Sequence, residues 1–352
     1  MFTSDINQLN SRYELLSRAS HFDTHDSPVQ HQLAGELKKL KHIISYDLPE
    51  LARQRSPHNF VEMHQNLLAE LERFHQFCEF PHLANKVTVG LGGAFSAGKS
   101  SLINTLLGRK RLATEIDPTT SLPTYLLKGD EESVTALNLF KRRVQLSQDE
   151  FLSLTHDEKE RYGSQISGLL QSAFISLPDF PFENLTLLDT PGYSKPDDEG
   201  VDSHADENIA RAQLNSAQFV IWVVSAENGV ISENDLRFLE SLRQGIPILF
   251  ALSRADKRRP EDIQAITELV EQTLSNSDLL VLDVIPFSSR KKKDYPTGPI
   301  LDYLYCWDNQ SQDPSFSLNF KRQFIAYQDF IEQEQSLAQK RLEKLNRILA
   351  IS

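Results

Sequence analysis

A chain of 352 residues is long enough for about two domains with a sizeable core, and its net charge of −12 argues against indiscriminate attraction to nucleic acid or anionic lipid. With hydrophobic residues at 39% and no run of about 18 apolar residues, nothing in it reads as a membrane span. Two cysteines far apart in sequence, Cys78 and Cys306, and a first stretch without the basic-then-apolar pattern of a leader make the cytoplasm the expected compartment, with peripheral attachment to a membrane as the outer limit.

Up to about Asn85 apolar residues recur three or four apart: Ile6, Leu9, Tyr13 and Leu16, then Leu33, Leu37, Leu40 and Ile44, then Val61, Leu67, Leu68, Leu71 and Phe74. Breaks at Asp26-Ser27-Pro28, Asp47-Leu48-Pro49 and Ser56-Pro57-His58 divide three helices, each with one apolar face to bury. From Lys86 the period changes. Strands are predicted at Val87–Leu91, Ser133–Phe140, Ala173–Leu177, Leu185–Asp189, Phe219–Val224, Ile246–Leu252 and Leu279–Phe287, several of them near-continuous apolar runs. Helices are predicted between them at Ser101–Leu107, Glu207–Asn215, Glu233–Arg243, Pro260–Ser275 and Ile300–Trp307, with a polar helical insert from Gln145 to Gln165. This alternation predicts a doubly wound α/β domain whose ligands lie at the carboxyl ends of the strands. After Pro314 a helical stripe returns, from Phe320 through Phe324, Tyr327, Ile331, Ala338, Leu342 and Leu345 to Leu349. The expected organisation is therefore a helical segment over 1–85, an α/β domain over 86–312, and a C-terminal helix over 313–352 that packs on the N-terminal helices.

The sharpest motif is Gly93-Ala94-Phe95-Ser96-Ala97-Gly98-Lys99-Ser100, a GxxxxGKS sequence set between a predicted strand and a predicted helix. In that setting the glycines let the backbone curl around phosphate oxygens, Lys99 reaches the β and γ phosphates, and the Ser100 hydroxyl is placed for Mg²⁺. A nucleoside triphosphate is the implied ligand. Downstream, Asp117-Pro118-Thr119-Thr120-Ser121-Leu122-Pro123-Thr124 forms a connection from which a threonine can close over the γ-phosphate. Asp189-Thr190-Pro191-Gly192 ends an apolar strand, aiming a carboxylate at the metal through water and an N–H at the γ-phosphate. Ser253-Arg254-Ala255-Asp256 ends the next long strand but one. One aspartate there can accept both adjacent donors of guanine, N1–H and the exocyclic amine. Ser288 and Ser289 close the last strand, where backbone amides can meet the guanine oxygen. Lys257-Arg258-Arg259 and Arg290-Lys291-Lys292-Lys293 follow the two base-reading strands and read as solvated rims.

These four elements in this order resemble the guanine-nucleotide-binding proteins, and more narrowly the bacterial dynamin-like proteins. The narrower likeness rests on Phe95 and the paired Ser100-Ser101 within Gly93–Asn104, on Pro118-Thr119-Thr120-Ser121-Leu122-Pro123-Thr124, and on helical sequence either side of the core. The resemblance implies a doubly wound P-loop GTPase domain with a helical bundle built from both termini. It implies Mg²⁺ as cofactor, GTP as substrate, GDP as product, and hydrolysis stimulated when GTPase domains pair and coupled to a hinge between core and bundle. By the same resemblance Ser96, Lys99 and Thr120 carry catalysis, Ser100, Thr120 and (through water) Asp189 hold the metal, and Gly93, Ala94, Phe95, Ala97, Gly98, Ser101, Gly192, Ser253, Arg254, Asp256, Ser288 and Ser289 complete the nucleotide site. Tyr193 stands where other GTPases carry a catalytic glutamine, as in this family. Arg254 stands where the family's base-reading motif usually has lysine, and Phe95 where eukaryotic relatives have glutamine.

Two other readings compete with a self-stimulated GTPase. One is a slow nucleotide-dependent switch whose helical bundle binds a protein partner or a membrane surface. The other is an Era-like GTPase acting on RNA, against which stand the acidic balance and the lack of an added basic module.

Overall fold

The apolar runs in the middle of the chain are strands covered on both faces. In the computed structural model, which describes residues 14–20, 28–80, 83, 86–112, 122–155, 167–193, 201–229, 231–310 and 315–351, they join one sheet. Its strands are β1 (Val87–Gly92), β2 (Thr124–Lys128), β3 (Ser133–Asn138), β4 (Arg143–Leu146), β5 (Leu170–Leu177), β6 (Leu185–Asp189), β7 (Phe219–Ser225), β8 (Ile248–Ser253) and β9 (Val281–Pro286), in spatial order β4-β3-β5-β2-β6-β1-β7-β8-β9. The helices are α1 (residues 14–20), α2 (Pro28–His42), α3 (Leu48–Gln54), α4 (Phe60–Glu79), α5 (Lys99–Leu106), α6 (Gln148–Thr155), α7 (Val201–Ser216), α8 (Glu233–Glu240), α9 (Pro260–Ser275), α10 (Gly298–Asp308) and α11 (Ser315–Ile351). The chain divides into two units, residues 1–23 with 85–311 and residues 24–84 with 312–352.

In the first unit β6, β1, β7, β8 and β9 run parallel. β2 is antiparallel to β6 but parallel to β5, and β3 runs antiparallel to both β5 and β4. Successive side chains of a strand point to opposite faces. Phe219, Ile221 and Val223 accordingly join one core with Leu249 and Ala251, while Val220, Trp222 and Val224 join a second with Ile248, Phe250 and Leu252. The first core is closed by Leu102, Ile103 and Leu106 of α5, Phe151 of α6, and Ile300, Leu304 and Trp307 of α10. The second is closed by Leu214 of α7, Phe238 of α8, and Ile263, Val270 and Leu274 of α9. Helices on both faces make the sheet doubly wound, as expected, and leave the carboxyl ends of β1, β6, β7, β8 and β9 to carry loops.

Three features correct the sequence reading of this unit. The short α1 contributes Leu15 and Ala19 to the first core. Its Arg18 donates to the Gln145 carbonyl at 2.5 Å and pairs with Glu150, and the Asn138 amide donates to the Ala19 carbonyl at 2.9 Å. The 1–85 segment is therefore not one helical element: its first helix belongs with the sheet. β2 is not among the predicted strands: Thr124–Lys128 begins within the Pro/Thr segment that reads as a connection. The expected helical insert begins at Gln145, whereas Arg143–Leu146 alternates exposed and buried residues and forms the strand β4, in a hairpin with β3 across a turn where Lys141 has φ 62°. Only α6 of that insert is helical among the described residues, and 156–166 lies outside them.

The second unit is built from α2, α3, α4 and α11. Leu37, Ile44, Leu48, Met63, Leu67, Leu71 and Tyr327 form its core, with Phe320, Phe324 and Ile331 packed against them. A π-helical turn, Ile43–Asp47, joins α2 to α3 just before Pro49, which has no N–H to give to a regular ladder. The His64 ring meets the Ile44 carbonyl at 2.9 Å there. Tyr327 donates its hydroxyl to the Arg55 carbonyl at 3.2 Å, and Arg55 pairs with Glu334. Beyond this point the expected packing of the C-terminal stripe ends. Residues 335–349 are exposed throughout, with Leu342 at 57% and Leu349 at 63%. The cause is length: at about 1.5 Å per residue, the 37 residues of α11 outrun the 20 of α4 by roughly 25 Å.

Candidate nucleotide-binding site

β1 delivers the chain to the glycine-rich loop with Gly90 and Gly92 thinning its surface. A Cβ on Gly92 would lie 2.6 Å from the Trp222 ring. The loop then needs backbone that few residues adopt: Gly93 has φ 143°, Ser96 φ 58° and Gly98 φ 103°. At Gly93 any side chain is also excluded by space, since its Cβ would fall 2.4 Å from the Val223 carbonyl oxygen. These turns carry Gly93 to Gly98 over the amino end of α5, where Lys99, Ser100 and Ser101 form the first helical turn. A phosphate oxygen placed there meets free N–H ends and a favourable helix dipole.

Lys99 is buried at the centre. Its Nζ donates to the carbonyls of Gly93 at 3.0 Å and Ala94 at 3.2 Å. Burial lowers its pKa to about 8, against the pull of the Asp189 and Asp235 carboxylates in the other direction. Asp189, at the end of β6, is fully buried; burial raises its carboxyl to about 6, with Lys99 and the Ser100 hydrogen bond holding it down. Ser100 Oγ donates to Asp189 Oδ2 at 2.8 Å, whereas Oδ1 is buried with no hydrogen-bond partner among the described residues. A hydroxyl beside a carboxylate with an open oxygen is a hard-oxygen donor set, and it fits a magnesium ion that keeps most of its water.

The Asp189-Thr190-Pro191-Gly192 turn is fixed from both sides. Thr190 donates its hydroxyl to the Leu91 carbonyl at 2.7 Å, a tie the sequence reading did not single out. Gly192 approaches the loop so closely that a Cβ would sit 2.8 Å from Phe95 Cα and 3.0 Å from Phe95 N. Those are backbone atoms and cannot swing aside. Gly192→Ala is therefore expected to keep the fold and lower turnover at least about tenfold, checked by steady-state rates beside circular dichroism. Tyr193 next to it is buried against Phe238 (ring centroids 4.7 Å) and Trp222 (5.5 Å), so it faces the core rather than a water at the phosphates.

At the other end of the site, Ser253 donates its hydroxyl to the Ala97 carbonyl at 2.6 Å, and Arg254 Nη2 donates to the Ser96 carbonyl at 2.9 Å. Asp256 Oδ1 accepts the fully buried Ser288 hydroxyl at 2.6 Å. The same Ser288 oxygen accepts from the backbone N–H of Arg290 (3.1 Å) and Lys291 (2.9 Å), so the loops after β8 and β9 are one rigid piece. Ser289 is exposed beside it. The structure thus brings together the glycine loop, the Asp189 turn, and the Asp256 and Ser288 loops. Thr120 and its neighbours from Asp117 to Ser121 lie outside the described residues. Sequence reasoning missed Asp235, buried and close enough to act on Lys99, although Ser232 with Asp235 three residues on is a visible capping box. It also missed Glu227, for which no sequence signal exists.

A glycine-rich loop, a buried lysine and a metal-ready aspartate on a doubly wound sheet, with a serine-held aspartate at its far end, define the P-loop GTPase class. Residues 89–247 match the model of the Dynamin family, and the chain is similar to bacterial dynamin-like proteins. It is similar to "Dynamin-like protein 2" of Campylobacter jejuni, with 25% identity over 72% of this chain and 40% of that protein. It is also similar to "Clamp-binding protein CrfC" of Escherichia coli, with 22% identity over 69% of this chain and 40% of that one. Among solved structures, one described as an oligomerised bacterial dynamin pair, with a mechanism for long-range sensing and tethering of membranes, shares the fold. The superposition has a TM-score of 0.51 at 18% identity and covers 98% of this chain and 50% of that one. The chain thus spans half or less of the length of these relatives.

Proposed function

We propose that this chain binds GTP with Mg²⁺ and hydrolyses it to GDP and phosphate, and that turnover rises when two GTPase domains pair across their nucleotides. The observation that carries the reading is the convergence of Lys99, Ser100 and Asp189 after β1 and β6 and of Asp256 and Ser288 after β8 and β9, at the carboxyl ends of one parallel run of strands. Lys99 binds the β and γ phosphates. Ser100, Thr120 and, through water, Asp189 would hold the magnesium ion, which when bound supplies charge to offset that of the phosphates. Gly192 meets the γ-phosphate, Ser96 sits against the bridging oxygen, and Thr120 orients the attacking water. Because Tyr193 is committed to the core, positioning falls to backbone and threonine, and catalysis is mostly orientation and charge stabilisation. Hydrolysis then acts on a hinge between the GTPase domain and the helical unit.

The test is GTP turnover per subunit across a hundredfold range of protein concentration. A specific rate that climbs supports pairing; a flat rate with intact binding removes it. Base choice is checked separately. Ser288→Ala leaves Asp256 and two backbone N–H groups without their partner, and is expected to cut the preference for GTP over ATP about tenfold in binding titrations.

A second reading has its own support: a nucleotide-dependent switch that engages a partner through the helical unit. The exposed Leu337, Leu342, Leu345, Ile348 and Leu349 of α11 offer an apolar surface for it. The names of the relatives, one clamp-binding and one from a membrane-tethering pair, suggest a protein or a membrane surface as that partner. Turnover independent of concentration together with nucleotide-dependent partner capture would favour it.

A further inference from the structure

The geometry points to Glu227 as a positioning residue for nucleotide binding that acts through Arg254, an inference resting on the guanine-nucleotide reading of this site. Glu227 lies in the short 3₁₀ turn Ala226–Asn228 after β7, a segment without any motif. Its carboxylate takes Arg254 Nη1 while Arg254 Nη2 donates to the Ser96 carbonyl in the glycine loop. The Glu227 carbonyl also accepts from Arg258 Nη2 at 2.7 Å. One guanidinium therefore joins the loops that follow β1, β7 and β8. Arg254 does this from φ 55°, a left-handed backbone that a bulky residue adopts only when its surroundings impose it.

The arrangement accounts for arginine in place of lysine. A lysine ammonium is a compact point charge on a flexible stem, whereas the planar guanidinium has two ends and can be held at both. With one end on the glycine loop and the other on Glu227, its plane is fixed two residues before Asp256, on the loop that reads the base. A fixed cationic plane there can lie over a purine ring and lower the ordering cost of binding. As a stabilising pair it is worth little, because the two side chains are 42% and 39% exposed. Its consequence lies in where it holds Arg254.

The experiment is a double-mutant cycle read by equilibrium binding of fluorescently labelled GDP and by steady-state GTP turnover. Glu227→Gln keeps the shape and removes the charge. It is expected to raise the dissociation constant and KM roughly fivefold, with kcat within about twofold of the parent. In an Arg254→Ala background the same substitution is expected to add nothing, because the group it acts through is gone. An unchanged dissociation constant in Glu227→Gln, or an equal loss in both backgrounds, would overturn the inference and leave the GTP reading standing. A parent protein that binds no guanine nucleotide would overturn the reading first, and this inference with it.

Discussion

Lys99→Met is expected to weaken GTP binding by at least roughly a hundredfold, the largest single effect at this site. The buried ammonium bonds to the carbonyls of Gly93 and Ala94, and is already stripped of water when phosphate arrives. Burial has lowered its pKa from 10.5 to about 8, so the ligand-free fold favours the neutral amine relative to the unfolded chain. The unfolded state therefore holds more protons between about pH 8 and 10.5, and stability rises with pH through that window. Phosphate reverses the preference by favouring the ammonium. Affinity of the parent protein for GTP is thus expected to decline as pH rises above about 8, approaching tenfold per unit, with uptake of a proton on binding. Isothermal titration between pH 7 and 9.5, in buffers of different ionisation heat, measures both. An affinity that is level across that range, or a Lys99→Met protein that still binds GTP tightly, removes Lys99 from the phosphate site.

Much of this arrangement was legible from residue order because its parts obey local rules. Gly93 and Gly98 with Lys99-Ser100 between a strand and a helix, and Asp189 closing an apolar run, are two constraints each written within a short local stretch. β8 is legible because a strand covered on both faces reads as a continuous apolar run, and α9 at Pro260–Ser275 is legible from its initial proline and amphipathic spacing. What escaped depended on partners distant in sequence. Arg143-Val144-Gln145-Leu146 is a strand only because β3 lies beside it. The helix at 14–20 has the same apolar spacing as the helices after it, and contacts distant in sequence assign it to the sheet: Leu15 and Ala19 in the first core, Asn138 on the Ala19 carbonyl, and Arg18 reaching Gln145 and Glu150. Glu227 is one acid among 49 Asp and Glu residues until Arg254 is seen against it. Conversely, the C-terminal stripe reads in the sequence as a packed face along its whole length. Periodicity reports an apolar face, and the length of α4 decides how much of it is covered.

The second large effect concerns Asp189, where stability and function are expected to pull in opposite directions. Its carboxyl is fully buried, with one oxygen bonded to Ser100 and the other without a partner among the described residues, and its pKa is raised from 3.8 to about 6 by that burial. Between those values the folded state binds a proton that the unfolded state has lost. The unfolded state binds fewer protons, so the contribution of this group to stability is present below pH 3.8 and is lost as pH rises through 6. Asp189→Asn does not titrate. The stability of the parent relative to Asp189→Asn is therefore expected to fall by about 2 kcal/mol between pH 4.5 and 7, with the asparagine protein the more stable near neutrality. Urea denaturation of ligand-free protein at the two pH values measures this, and a difference that stays constant would show that burial does not govern the carboxyl. Addition of Mg²⁺ and GTP should invert the ranking. The open Asp189 oxygen is where the ion and its water would be held, so the parent should gain thermal stability and Asp189→Asn should gain little. Equal thermal shifts in the two proteins would instead remove Asp189 from the metal site while leaving its role in the pH profile intact.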